Sequence, residues 1–179
     1  MKKTMISKGL FLTLIGIFMT SVMFAQNQTK APASPADSAT GTISGSMIKI
    51  NYSSPAVKGR KIWGELVPYD KVWRLGANTA TSFETSKDIK VEGKSLPAGK
   101  YSLYAIPGEK EWTFIFNSKT GQWGINRDGS TTEDPANDVL RVTVKSEKSS
   151  SFNERMKFEV GKKGFALLWE NLKVPVSIK

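Results

Sequence analysis

The residues best suited to recognition or catalysis are concentrated in one stretch of the sequence, from Gly59 to Thr81. It contains two of the chain's five tryptophans, a tyrosine, two arginines, a glutamate and an asparagine, set between glycine and proline residues. Aromatic rings and arginines offer both packing surface and directed hydrogen bonds, which is typical of a site for a sugar ring or another small polar ligand. We therefore predict that a ligand contacts this stretch and the strand after it, through Arg60, Trp63, Tyr69, Trp73, Arg74, Asn78 and Glu84.

The same aromatic residues have a second interpretation, as parts of the core. A domain without disulfide bonds needs large side chains in its interior, and for Trp63 the two interpretations stay equally open. We expect packing roles for Trp112, Trp123 and Trp169. Arg74 has the stronger functional case, because Gly76 permits close approach of a partner. Asn78 also suits a turn, since asparagine tolerates left-handed backbone conformations.

The absence of histidine and cysteine excludes several kinds of catalysis. Ser-His-Asp and Cys-His nucleophiles, the usual zinc sites, haem and iron–sulfur ligation and imidazole acid–base chemistry all need one of these residues. No glycine-rich phosphate loop follows a strand and opens a helix, so we predict no nucleotide and no other cofactor. Ser46 and Lys49 have the spacing of a serine–lysine dyad, but residues three apart on a strand point to opposite faces.

A calcium loop is a further interpretation, at Asn126, Asp128 and Gly129. The first and last positions of that loop pattern would be Gly124 and Pro135, which supply no carboxylate. A turn around Asp-Gly is therefore favoured, and we predict no metal site. An irregular calcium site that includes Asp134 and Asp138 stays formally open.

Glu65 and Glu84 are the acidic residues embedded in the aromatic region. If they faced each other across a cleft, they would suit the hydrolysis of a glycosidic bond. The favoured alternative is that each forms a partly buried ion pair with Arg60 or Arg74, which is the commoner fate of such residues near a core.

The first 25 residues have the features of a secretory signal peptide. A basic start precedes an apolar run from Leu10 to Phe24, and we expect cleavage after Ala25. Met23 stands where a small residue is preferred, so an uncleaved anchor is the alternative. Residues 26–42 are rich in small polar residues and predict a flexible linker, and residues 43–179 predict one folded domain. We expect a periplasmic or secreted protein with no stable membrane anchor.

The chain is basic, with 26 lysines and arginines against 16 aspartates and glutamates and a formal net charge of +10. Loss of the three lysines in the predicted signal peptide would leave +7. The basic residues are scattered over the whole length, which favours a solvated surface over a nucleic-acid footprint. We predict no nucleic-acid partner.

Short segments of alternating apolar and polar residues recur along the domain at intervals of about ten residues. Residues 112–116 are almost wholly apolar and predict a central strand covered on both faces. We also expect residues 60–67 and 73–75 to be extended, and residues 117–137 to be a surface excursion pinned by Trp123. No window of ten or more residues has a clean helical period. The prediction is therefore an all-β, single antiparallel β-sandwich or jelly-roll-like domain of about nine or ten strands.

Several short motifs together resemble a known bacterial family. They are Ser54-Pro55, Lys58-Gly59-Arg60, Ile62-Trp63-Gly64, Leu66-Val67-Pro68-Tyr69, Val72-Trp73-Arg74, Gly76-Ala77-Asn78, Ala80-Thr81, Leu96-Pro97-Ala98-Gly99-Lys100-Tyr101 and Trp169-Glu170-Asn171. The chain resembles the family catalogued as domain of unknown function 2911 over about residues 43–179. The resemblance implies an exported single-domain protein. It implies no activity, so no catalytic residue is carried over from it.

Three functions follow as alternatives. The leading hypothesis is non-catalytic binding of a carbohydrate or another small polar ligand. The second is a structural role in the cell envelope, in which the aromatic residues face a partner protein or a sheet edge receives a strand. The third is a hydrolase that uses Glu65 and Glu84. In each case we expect a monomer or a weakly associating protein.

Overall fold

The alternating pattern of the domain is realised as ten β-strands. The computed structural model describes residues 31–179. The strands are β1 (Ala36–Ile43), β2 (Ser46–Ser53), β3 (Thr81–Thr85), β4 (Ile89–Val91), β5 (Lys94–Leu96), β6 (Gly99–Ile106), β7 (Glu111–Asn117), β8 (Asp138–Lys145), β9 (Glu147–Gly161) and β10 (Gly164–Ser177). A 3-10 turn, Pro135–Asn137, precedes β8, and residues 31–179 contain no α-helix. Two long connections lie between strands: the site loop, residues 54–80, and the excursion loop, residues 118–134.

Six strands form one antiparallel sheet in the order β1-β2-β3-β6-β7-β8, and β9 pairs with β10 in a separate antiparallel ribbon. The ribbon packs against the sheet, since the ring of Phe165 on β10 lies 5.7 Å from the rings of both Phe83 and Phe114. A short hairpin of β4 and β5 completes the set. The predicted all-β, antiparallel, sandwich-like fold is confirmed.

Strand register explains which side chains form the core. Directly paired residues of neighbouring strands share a face, so Phe83 lies between Ile50 and Tyr101, and Phe116 lies between Leu103 and Leu140. All six of these side chains are buried. The opposite face of the sheet is called the outer face below.

The domain begins earlier than predicted, because β1 occupies residues 36–42 of the segment expected to be a flexible linker (residues 26–42). All eight residues of β1 pair with β2, and Ala39 and Ile43 are buried. The small residues that suggested a linker instead permit close packing, since a Cβ atom on Gly41 would lie only 2.7 Å from Cγ1 of Val160. The predicted signal peptide, residues 1–25, lies outside the described residues. Within residues 31–179, no helix has the length and apolar character needed to cross a membrane.

The site loop is not the strand that residues 60–67 predicted. Its backbone folds back on itself, with Gly64 donating to the carbonyl of Val67 (2.9 Å) and Val67 donating to that of Ile62 (2.9 Å). Ile62 and Val67 are buried, so the apolar residues serve the core without a ladder of strand hydrogen bonds. The expected extended segment 73–75 is reduced to a single bridge between Trp73 and Ala105.

The excursion loop covers the outer face of β6 and β7, and Trp123 does not pin it. The Trp123 side chain is 57% exposed. Gln122 accepts a hydrogen bond from Ser102 through Oε1 (3.0 Å), and its backbone carbonyl accepts one from Ala80 (3.0 Å). This cover explains why Ile115 is buried on the face away from the core. The predicted central strand at residues 112–116 is therefore confirmed.

Candidate functional site

Four of the five tryptophans form one cluster where the site loop meets β7 and β10. The ring of Trp63 lies edge-on to Trp112 (5.2 Å between centroids) and to Trp169 (5.7 Å). Trp73 stacks on Trp169 at 6.0 Å with an interplanar angle of 16°. Such pairs add about 0.5–1.5 kcal/mol each beyond the area they bury. The cluster therefore belongs to the core or packs against it, and two of its members, Trp73 and Trp169, also border a cleft.

Trp73 is placed by backbone pairing. The pairing of β3 with β6 ends at Thr81, which lies opposite Leu103. Further along β6, Trp73 takes the neighbouring position and exchanges two backbone hydrogen bonds with Ala105 (2.7 and 2.9 Å). A residue paired in this way shares a face with its partner, so the Trp73 ring points to the core side of the sheet. The next residue, Arg74, leaves the cluster and approaches the excursion loop, where it packs against Gly124.

A cleft of about 660 Å³ opens beside Trp73 and Trp169. This volume lies in the range of small-molecule sites. The site loop supplies one wall, mainly through Leu66, Val67, Pro68 and Val72. The excursion loop supplies another, through Ile125, Gly129, Ser130 and Thr131. Most of these surfaces are apolar, so the walls of the cleft offer packing surface more than hydrogen-bonding groups.

The charged residues that line the cleft are all basic: Arg60, Lys71 and Arg74. No aspartate or glutamate belongs to the lining among the described residues. Arg60 and Lys71 are exposed, whereas Arg74 is half-buried. The cleft is therefore a cationic site in which the deepest charge belongs to Arg74.

Arg74 has no counter-ion. Within residues 31–179 its guanidinium makes no salt bridge, and its Nε is buried without a hydrogen-bond partner. Burial lowers the pKa of this guanidinium from its ordinary value. A desolvated charge without a partner is unfavourable, and groups with perturbed pKa values are concentrated at functional sites.

The backbone around Arg74 is held in an unusual conformation. Leu75 is buried at φ 55°, in the left-handed region that bulky residues rarely adopt. Thr81 fixes this turn, since its hydroxyl donates to the Leu75 carbonyl (2.7 Å) and its amide donates to that of Arg74 (3.2 Å). On the other side, a Cβ atom on Gly124 would lie 2.5 Å from Cδ of Arg74, so the glycine is required for this approach. Strain of this kind costs about 1–3 kcal/mol and is concentrated at functional sites.

The matched family has the same extent as this domain. Residues 34–178 match a family model described as a protein of unknown function, DUF2911. The chain belongs to this family. The matched segment contains every residue that lines the cleft. No curated protein matches the chain, and no solved structure matches it. The resemblance to DUF2911 is thus confirmed, and it brings no assigned activity.

Of the residues predicted to contact a ligand, this DUF2911 member brings three to the cleft: Arg60, Trp73 and Arg74. Arg60 is held by its own turn, where Nε donates to the Val57 carbonyl (3.1 Å). Trp63 lies in the tryptophan cluster and does not belong to the lining.

The other three predicted residues lie outside the cleft lining. Tyr69 packs its ring against Gly64. Asn78 donates through Nδ2 to Oγ of Ser53 (3.1 Å) and to the carbonyl of Ser34 (3.2 Å), which lines the cleft. Glu84 is exposed on the outer face of β3. Asn78 thereby positions one edge of the cleft without bordering it.

The two acidic residues proposed for hydrolysis do not border the cleft. Glu65 forms an exposed ion pair with Lys61 (3.0 Å), so its predicted pairing with Arg60 or Arg74 is wrong. Glu84 lies directly opposite Lys49 and Lys100 on the neighbouring strands. The two glutamates lie away from the cleft for different reasons. The folded site loop turns Glu65 into solvent, while strand alternation turns Glu84 away from the core.

The remaining polar motifs of the sequence serve turns and caps. Oδ1 of Asp128 accepts hydrogen bonds from both the amide (2.9 Å) and the hydroxyl (2.6 Å) of Ser130, as in an aspartate turn. Asp134 caps the 3-10 turn by accepting from Ala136 (3.0 Å), and Asp138 pairs with Arg141 (2.6 Å). No group of three or more potential metal ligands occurs within residues 31–179.

Sequence reasoning missed two contributors to the cleft. Trp169 was expected only to pack, yet it lines the cleft as well. The excursion loop was expected only to lie on the surface, yet four of its residues line the cleft: Ile125, Gly129, Ser130 and Thr131. A signal for Trp169 was present in the motif Trp169-Glu170-Asn171, whereas the contact of Gly124 with Arg74 leaves no local pattern in the sequence.

Proposed function

We propose that the protein is a non-catalytic binding module that holds a small polar ligand in the cleft. The observation that carries this proposal is Arg74, a half-buried cation that lines the cleft without a counter-ion in the described structure. A ligand group that pairs with Arg74 would complete it. The tryptophan cluster supplies a rigid wall for the rest of the ligand.

The composition of the lining favours binding over hydrolysis. Glycoside hydrolysis needs two carboxyl groups that flank the bond, and the described lining contains none. The hydroxyls of Ser34, Ser130 and Thr131 have no histidine to activate them, because the sequence contains none. These groups suit hydrogen bonds to a bound ligand.

We also propose that the protein works in the periplasm or outside the cell. This part rests on the sequence of residues 1–25 alone, with its basic start and apolar run. It is tested by determining the N-terminus of the protein isolated from its own cells. A start near residue 26 is expected, and a protein that retains residues 1–25 in the cytoplasm would contradict export.

The ligand proposal is tested by screening the purified protein for thermal stabilisation and for changes in tryptophan fluorescence. The panel contains neutral monosaccharides, amino acids, organic acids and inorganic phosphate. We expect saturable stabilisation by part of the panel, because a ligand that binds only the folded state raises its stability by mass action. Fluorescence should respond, since Trp73 and Trp169 line the cleft.

A matched pair of variants assigns the response to the cleft. Arg74→Met should abolish it, and Lys162→Met, which removes one positive charge from an exposed residue of the β9–β10 turn outside the lining, should not. A response that survives Arg74→Met unchanged would place the ligand elsewhere. A folded protein that responds to nothing in the panel would argue against the binding function.

A further inference from the structure

We infer that the ligand of the cleft is a small organic acid, whose carboxylate binds Arg74 and whose apolar body packs against Trp73. The inference rests on the proposed function, since it names the class of ligand for the same site. It combines three properties of the cleft: the sign of its charges, the unpaired state of the deepest charge, and the apolar character of its walls.

The charges in the cleft call for an anion. Arg60, Lys71 and Arg74 line it, and no carboxylate of the described chain offsets them there. The N-terminal segment has none to offer, because Asp37 is the first acidic residue of the sequence. Asp128 lies in the excursion loop, but it is outside the lining and its Oδ1 accepts two hydrogen bonds from Ser130. The missing charge therefore has to come from a separate molecule.

The depths of the three cations differ. Arg60 and Lys71 are exposed and attract an anion from solution, while Arg74 is half-buried and binds it where water is reduced. Because Nε of Arg74 is covered by protein, an incoming carboxylate meets the terminal nitrogens of the guanidinium. The planar guanidinium suits a planar carboxylate, and charge-assisted hydrogen bonds of this kind are the stronger ones.

The apolar walls of the cleft indicate what kind of molecule carries the carboxylate. Leu66, Val67, Pro68, Val72 and Ile125 contribute side chains without hydrogen-bonding groups. A neutral sugar would find few partners for its hydroxyls there, and inorganic phosphate would leave these walls unused. An aromatic or alkyl body gains stabilisation in proportion to the apolar surface that it buries against them.

The inference is tested by calorimetry with an acid and its neutral amide, 3-phenylpropionate and 3-phenylpropionamide, at pH 7. The two probes share one apolar body and differ in charge. We expect the acid to bind at least ten-fold more tightly, roughly the value of a charged hydrogen bond in a partly buried site. Arg74→Met should remove this preference and Arg74→Lys should keep part of it, while Lys162→Met, which removes one positive charge from the exposed β9–β10 turn outside the lining, should leave it intact.

Other outcomes separate the inference from the proposed function. Equal affinity for acid and amide, or binding of glucose in preference to the acid, would contradict the inference that the ligand is an organic acid. Either result would still support a small-ligand site. Binding of inorganic phosphate with no binding of the acid would overturn the carboxylate and keep an anion site. If no probe, charged or neutral, bound the folded protein, both the inference and the binding function would fall.

Discussion

At the scale of single residues, Arg74 is the position where the proposed function and folding stability oppose each other. Its neighbour Leu75 is held in a left-handed conformation, and its own charge is partly buried without a counter-ion among residues 31–179. A residue kept for folding alone would be expected to have a partner or to be apolar. Under the proposed function, we expect Arg74 to lower the stability of the protein while no ligand is bound.

Replacing Arg74 by methionine should therefore stabilise the protein. Methionine keeps much of the volume of the arginine stem and removes the desolvated charge. We expect a gain of about 1 kcal/mol, after allowance for partial exposure, which corresponds to a rise in Tm of about 2–4 °C. Thermal unfolding without ligand measures it, and Lys162→Met is the control with no expected change. A substantial fall in Tm would mean that Arg74 is a structural residue.

At the scale of elements, two long loops make the cleft, and the strands decide where those loops meet. The site loop is anchored on β6 by Trp73, and the excursion loop is anchored on the same strand through the contact of Gln122 with Ser102. Since β6 lies inside the six-stranded sheet between β3 and β7, both loops are fixed to a strand that is paired on both sides. The cleft is therefore preformed, which lowers the entropy lost on binding.

The first strand offers a test of how the domain begins. Gly41 of β1 packs against Val160 of β9, and its Cβ position lies 2.7 Å from a valine methyl group. Gly41→Val should destabilise the protein by about 1–3 kcal/mol, because overpacking forces the neighbouring strand to move. Thr40→Val, at the exposed neighbour, should change stability by less than about 0.5 kcal/mol. Urea denaturation compares the two. Equal stability of both variants would support a flexible segment instead.

At the scale of the whole molecule, one partly buried group of charged residues ties the excursion loop to the sandwich. Arg141 on β8 pairs with Glu133 (2.9 Å) and with Asp138 (2.6 Å), and the Glu133 side chain is nearly fully buried. Asn117 at the end of β7 donates to Asp138 (2.8 Å). Desolvation, and then the nearby charge of Asp138, raise the pKa of Glu133 above its ordinary value of 4.5.

This raised pKa predicts a pH dependence of folding stability. The folded state holds the Glu133 proton more tightly than the unfolded state, so its contribution is fully present below pH 4.5 and is lost as the pH rises through the folded pKa. Glu133→Gln mimics the protonated form and should remove this decline. Free energies of unfolding from urea titrations between pH 4 and pH 7 compare the two proteins. A variant that declines as steeply as the wild type would assign the dependence to other groups.

The sequence alone determined the class of fold, because strand alternation is a local property. Residues such as Ile48, Ile50 and Tyr52 show their common face directly in the chain, and all three are buried. Composition likewise removed whole classes of chemistry, since no fold can place a histidine or cysteine that is not present. The aromatic stretch was recognised for the same reason, as a concentration of residue types.

The tertiary structure decided which of those residues form a site. The sequence did not show that Trp63 joins a cluster while Trp73 borders a cleft, or that Ala36–Ile43 is a strand rather than a linker. It also did not show that Arg74 lacks a counter-ion among the described residues, because the excursion loop that packs against it at Gly124 is far away in the chain. An absent partner is a property of every contact around a residue at once, and only the folded chain brings those contacts together.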